Sequence, residues 1–404
     1  MSASTVDVTP LIQRYRELYH REPQVVARAP GRIEIIGNHT DHNNGRVVAA
    51  AVTQETVVVA GPSTDGSTRL TSLGWNKPFH VPPQSTSLKE METLHDTERL
   101  MAGVAAGLQE LGLPAPPFDG VMASTVQPGS GMSSSAALEV ALAGAHTALA
   151  GGDINPLHAA LAGKFAENEG MGKPSGLMDQ LASALGGIHM MDFSVAQGAK
   201  FKKIDLDFAA HGYRVVVIHT GGSHADLTDQ YAAIPQEMHR LAKELGVQRL
   251  VETTEEALIS NAHRLRAVLG DRAVQRGLHF FAEQARVDAL VNTRGHEESM
   301  AVALRTMRES GSSSWRLLQN VFPPGAVEDQ PVALALAVAE RCLHREATRD
   351  WAVRVHGGGF AGTALAVVPE EVLDTFTTSL EQLVGTGAVV PVEISGAGVT
   401  FRNL

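Results

Sequence analysis

The chain has 404 residues, 44% of them hydrophobic and 19% charged, with a formal net charge of −11. That length exceeds one ordinary core, and the charge argues against a nucleic-acid partner, whose phosphates call for clustered Lys and Arg. An anionic small ligand stays open, because backbone amides and a few local cations can hold one. The single cysteine, Cys342, allows no internal disulfide and points to a reducing, cytoplasmic compartment. No apolar run reaches the roughly 18 residues of a membrane span, and the N-terminus has neither the basic flank nor the apolar stretch of a signal peptide.

In chain order, the first element reads as a helix capped by Thr9, with Pro10 in its first turn and Leu11, Ile12, Tyr15, Leu18 and Tyr19 on one face. Residues 24–29 read as a strand entering a turn at Pro30-Gly31. From Arg32 to Val59, β-branched runs flank the polar loop NHTDHNNG, which predicts strands around a functional loop. Residues 85–113 read as helical, 120–126 as a strand, 134–150 as an alanine-rich helix, and 157–168 and 177–185 as two more. The pattern restarts with a strand over 213–219 and helices from 227 to about 269. Strands then flank a glycine turn at 351–368, and a helix over 370–384 closes the chain. We place a boundary near residue 205, giving domains 1–205 and 206–404. Without strict βαβ alternation, the fold class is α+β with two lobes.

Four segments carry the chemistry. Gln127–Leu138, QPGSGMSSSAAL, joins a strand to a helix. Gly129 and Gly131 let backbone approach a ligand, Ser130, Ser133, Ser134 and Ser135 offer hydroxyls, and the helix start offers N–H groups and a positive dipole end. Taken alone, it is also a serine-rich turn capping a helix. Pro30–Gly45, PGRIEIIGNHTDHNNG, concentrates Arg32, Asn38, His39 and Asp41 in a pattern suited to a polyhydroxylated ligand. A solvated turn and a metal site at His39, Asp41 and His42 are the alternatives. In Ala166–Gln180, AENEGMGKPSGLMDQ, Asp179 lies in an apolar setting, as a base or merely as a helix-start charge. Arg354–Ala364, RVHGGGFAGTA, matches G-x-G-x-x-G formally, but a strand follows the glycines where a dinucleotide site needs a helix.

Together these segments resemble the ordered motifs of the GHMP kinases, and of galactokinases in particular. HADLTDQY and LHFFAEQARV extend the resemblance over most of the chain. It implies a two-lobed fold with ATP, Mg²⁺ and a sugar between the lobes. It also implies phosphorylation at the anomeric hydroxyl, of galactose first and otherwise of a relative such as galacturonate or L-arabinose. By resemblance Asp179 is the catalytic aspartate and Arg32 its stabilising arginine. Ser135 and Glu167 associate with the metal, Gly129–Ser135 with the nucleotide, and Asn38, His39, Asp41, Gly176 and Tyr231 with the sugar. The expected protein is monomeric, with no partner beyond its substrates. A non-catalytic sugar-and-ATP sensor is the rival class, disfavoured by the intact Ser135-Ala136, Arg32 and Asp179. The sequence departs from the family at Asn38, where glutamate is usual, at His42 for tyrosine, at Ala361 for glycine, and in RESGSSSWRLLQNVF, which lacks an acidic RDD-type segment. These departures leave the reaction type and put the sugar in question.

Overall fold

The β-branched runs flanking the NHTDHNNG loop become the two longest strands, β1 (Val25–Ile36) and β2 (Arg46–Pro62), paired antiparallel. The structure, a computed structural model, describes residues 5–83, 88–173, 175–195, 198–222 and 227–404. The remaining strands are β3 (Thr68–Ser72), β4 (Phe79–Val81), β5 (Phe118–Ser124), β6 (Ile188–Asp192), β7 (Lys200–Lys203), β8 (Tyr213–His219), β9 (Ala352–Val355), β10 (Thr363–Pro369), β11 (Val389–Val392) and β12 (Thr400–Asn403). An eight-stranded sheet runs β12-β1-β2-β5-β3-β4, with β6 on β2 and β7 on β6. A four-stranded sheet runs β11-β8-β10-β9. Among the described residues, only β3 and β5 pair in parallel. The chain changes sheets between β7 and β8, and β12 returns to β1 from the far end of the sequence.

Two expectations at the N-terminus need correction. β1 does not turn at Pro30-Gly31; it runs on to Ile36 with register shifts at Pro30/Arg32 and Glu34/Ile36. The irregularity absorbs a residue that cannot donate to the ladder. Thr9 begins its helix rather than capping it. Val8 holds the cap position, and the Asp7 carboxylate accepts from the Thr9 amide at 2.9 Å. Residues 85–113 break into Leu88–Met91 and Asp96–Glu110. The sequence reading assigns nothing to 271–350, where three helices lie: Asp271–Val291, His296–Ser313 and Pro331–Glu346.

One core packs the helices 96–110, 134–149, 156–165 and 178–185 on the first sheet. A second joins the lobes, setting Ile33, Ile35, Val48 and Val52 against Val215, Val217, Leu365 and Val367. The end of β1 is therefore clamped between the two sheets. Among the described residues, no helix is long and apolar enough to cross a membrane.

The helix 156–165 continues as a π-turn over Ala166–Gly170, which includes Glu167. Single π-turns inside helices often mark functional sites. The neighbouring helix approaches closely: a Cβ on Gly103 would lie 2.6 Å from Ala166 Cα, and one on Gly107 2.8 Å from Ala162 Cα. Gly103→Val must push backbone aside, and overpacking of this kind costs on the order of 1–3 kcal/mol or more. Urea unfolding should show at least that loss, with activity falling as Glu167 shifts. Unchanged stability would disprove the close approach.

Candidate active site

Arg32 leaves β1 between the two lobes and is almost wholly buried. Its Nε and Nη2 donate to the two Asp179 oxygens at 2.8 and 2.7 Å, a bidentate fork that fixes the carboxylate plane. Its Nη1 donates to Gly131 O, and its backbone amide donates to Met132 O at 3.0 Å. Ser133 Oγ donates to Asp179 Oδ2. Burial pushes the Asp179 carboxyl up, but the Arg32 charge and the Arg32 and Ser133 hydrogen bonds outweigh it, and the net shift is down. Asp179 is thus an ionised acceptor at the start of the helix 178–185, with its side chain about one-third exposed (34%).

The phosphate-loop candidate leads into the helix Ser134–Leu149. Gly129, at φ 74°, borders open space, whereas a Cβ on Gly131, at φ 73°, would lie 2.2 Å from Thr363 Oγ1. Gly131 is therefore where the loop touches β10, and Gly129 is the open position. Ser130 is buried, and Ser133 and Ser134 are half-buried at the helix start. Ser135 Oγ donates to Glu167 Oε1 at 3.1 Å. Gln180 Nε2 bridges Glu167 and Glu139, at 3.2 and 3.0 Å. Burial, then the nearby Glu167, raises the Glu139 carboxyl well above its ordinary value.

The NHTDHNNG loop is held to the third glycine motif. His39, at φ 58°, donates from Nε2 to Gly358 O at 3.0 Å. Its buried Nδ1 has no hydrogen-bond partner among the described residues. Asn320 Nδ2 also donates to Gly358 O, and Tyr231 OH donates to Gly359 O. β10 follows these glycines directly, which excludes the dinucleotide reading. A Cβ on Gly176 would lie 1.7 Å from Asp41 Oδ2, so only glycine admits that carboxylate. Asn168 accepts from the amide and the hydroxyl of Ser175 and shapes the turn before it. His39 and His42 stack at 5.8 Å, and among the described residues no set of three or more His, Cys, Asp or Glu converges on a metal position.

A cavity of about 500 Å³ opens on these groups. Its lining includes Arg32, His39, Asp41, Glu167, Gly176, Asp179 and Tyr231, from the expected set. Gly129–Ser135 do not line it; they reach it through Arg32, Asp179 and Glu167. Asn38 is the correction. Its side chain is fully buried away from the cavity wall, because Glu34, Gly357, Ser314 and Asn320 use both ends of its amide. Glu34 lines the cavity instead, backed by the fully buried Arg354, and Lys173 adds a cation. The signal for Glu34 was present: one charge in the apolar run IEII. Of HADLTDQY, residues 224–226 lie outside the described residues.

Burial lowers several histidines, among them His39 to about 3, His146 to about 4, His356 well below its ordinary value, and His279 in the same direction. A folded state that refuses these protons loses stability as the unfolded chain takes them up. The loss begins near the unfolded histidine value of about 6.5 and deepens as pH falls towards 4. Each such group adds at most about 1.4 kcal/mol per pH unit. Urea unfolding at pH 7 and pH 5 should differ by several kcal/mol, and equal stability would show that these rings protonate in place.

Comparison with known proteins agrees with this geometry. Residues 13–62 match the family model of the galactokinase galactose-binding signature, and residues 99–187 match that of the GHMP kinase N-terminal domain. The chain is 30% identical over 373 residues to a galactokinase from Streptomyces coelicolor, covering 91% of each. It superposes on a Lactococcus lactis galactokinase complexed with galactose at TM-score 0.79 and 21% identity, covering 96% of this chain and 98% of the other. A Methanococcus jannaschii mevalonate kinase shares the fold at TM-score 0.59 and 15% identity, over 94% and 96% of the two chains. With a galactokinase-specific signature over β1 and β2 and a full-length relative at that identity, the chain belongs to the galactokinase family of the GHMP kinases.

Proposed function

We propose that the protein transfers the γ-phosphoryl group of ATP to the anomeric hydroxyl of galactose, giving galactose 1-phosphate. The observation that carries this reading is the Arg32 fork, which joins a carboxylate in the sugar-sized cavity to the backbone of the phosphate loop. Phosphoryl transfer through a loose transition state needs alignment and charge neutralisation more than covalent help. Asp179 accepts the hydrogen bond of the attacking hydroxyl and orients it. Because Arg32 lowers its proton affinity, it takes the proton late, as the new P–O bond forms. Arg32 spreads positive charge towards the transferred group. The helix 134–149 turns its N–H groups and positive end to the nucleotide phosphates. His39 Nδ1, a buried acceptor without a partner among the described residues, receives a sugar hydroxyl, with Asp41 and Tyr231 also lining the cavity.

Mg²⁺ fits the Ser135–Glu167 pair, since this ion is commonly held by one or two carboxylates together with substrate phosphates. When bound it offsets phosphate charge. Gln180 holds the Glu167 carboxylate in place, and the neutral Glu139 behind it avoids a second buried negative charge. The two catalytic lobes divide near residue 205, with residues 400–403 counted in the first. The chain acts as a monomer in the cytoplasm.

Two measurements test the assignment. Asp179→Asn should lower kcat by about 10²–10⁴, with circular dichroism and galactose binding retained; activity within a few-fold of wild type would remove Asp179 from the chemistry. Gly129→Val places a β-branched side chain at positive φ over open space, so Tm should fall only by the equivalent of the roughly 1–2 kcal/mol of that strain while calorimetry shows at least tenfold weaker ATP binding. Gly131→Val should instead lower Tm sharply through Thr363. Unchanged ATP affinity for Gly129→Val would put the phosphates elsewhere.

A further inference from the structure

We infer that Glu34, rather than the residue four positions later, reads a ring hydroxyl of the sugar, and that its charge restricts the enzyme to neutral sugars. This rests on the kinase reading above and adds a specificity residue to it. Glu34 is 2% exposed, yet it lines the cavity. An ionised carboxylate offers about four acceptor positions. Oε1 receives Arg354 Nη2 and, at 3.1 Å, Asn38 Nδ2; among the described residues Oε2 receives only that same Asn38 N–H₂ group, at 3.2 Å. Oε2 therefore keeps accepting capacity, and the cavity is where a donor can reach it.

The carboxylate cannot turn away. Arg354 is fully buried and spends its other donors on Ile35 O and Val355 O. The Asn38 amide is fixed with its nitrogen towards Glu34, because its oxygen accepts from Asn320 at 2.9 Å and Ser314 at 3.3 Å. The backbone N–H of Glu34 donates to His356 Nε2 at 3.1 Å. A preset acceptor of this kind suits a hydroxyl donor and opposes a carboxylate. The rest of the wall points the same way, with Asp41, Glu167, Asp179 and His39 Nδ1 as further acceptors against Arg32 and Lys173. A polyol fits this wall, and a uronate brings a further negative charge to a cavity that Glu34, Asp41, Glu167 and Asp179 already line.

The test compares wild type with Glu34→Gln on galactose, its 2-, 3-, 4- and 6-deoxy derivatives and galacturonate, by kcat/KM with MgATP. Circular dichroism and ATP calorimetry serve as readouts independent of the sugar. In wild type, galacturonate should be used about 10³-fold less well than galactose, since like charges brought together cost several kcal/mol. One deoxy sugar should lose about 10- to 100-fold, the worth of a hydrogen bond to a charged group. In Glu34→Gln that one penalty should fall below about threefold, and the galacturonate-to-galactose ratio should rise at least tenfold. Removing the charge leaves Arg354 buried without a counter-ion. If the variant fails to fold, the charge-preserving exchange Glu34→Asn with Asn38→Glu is read instead and should change which hydroxyl is penalised. A folded variant with the wild-type profile, or a wild type that uses galacturonate as well as galactose, overturns the inference. A wild type inert towards galactose and all five derivatives overturns the kinase reading itself.

Discussion

Arg32 binds three segments that are far apart in sequence. Its guanidinium spans the Asp179 carboxylate, its remaining nitrogen holds Gly131 O, and its own amide takes Met132 O. The position is possible because β1 continues past Pro30-Gly31, carrying the residue into the space between the two sheets. A turn at that dipeptide would have left the arginine on the surface. The geometry of this cavity wall thus depends on a strand irregularity that tolerates proline, and on a fork whose planarity lysine could not reproduce.

The second buried charge pair does different work. Arg354 has no acidic partner on the helix 296–313, where Gly311 instead lets backbone approach: a Cβ there would lie 2.8 Å from Val353 O. Glu34, on β1, supplies the counter-charge. A buried pair is weak evidence for net stability, because desolvation offsets most of the attraction, yet removing one partner costs about 3–5 kcal/mol. The missing acidic segment, the glutamate in an apolar strand and the asparagine four residues on are therefore one linked arrangement. Position 38 is explained by its neighbours.

Much of this was legible in the sequence, and the missed strands share a cause. Segments whose signal is local came through: the β-branched runs of β1 and β2, the alanine-rich helix 134–149, and the glycine turn before β10. Strands of three to five residues, such as β3, β4, β6 and β7, did not, because so few residues carry no period and the pairing partner decides. At the cavity, Arg32 and Asp179 stand out in the sequence by residue type and setting, and the structure pairs them there. Asn38 was misjudged because its environment comes from Glu34, Asn320 and Ser314, two of them nearly 300 residues away. A side chain that fits a sugar equally fits a buried polar network, and only the fold distinguishes them.

Backbone strain shows how the motifs depend on one another. His39, Ser133 and Phe360, one in each of three motifs, hold left-handed backbone at φ 58°, 55° and 57° without being glycine. Such conformations cost on the order of 1 kcal/mol each and persist only where surroundings over-determine them. In each case the restraint comes from another segment. His39 donates to Gly358 O, Ser133 to the Asp179 carboxylate, and the Phe360 amide to Asn320 O. No one motif can hold its active shape alone. The NHTDHNNG loop needs the third glycine run, that run needs Asn320, and the Gly129–Ser135 loop needs Asp179. A sensor could keep a sugar cavity with a relaxed phosphate loop, whereas mutual restraint of this kind keeps donor and acceptor sites in fixed register, as in-line transfer requires.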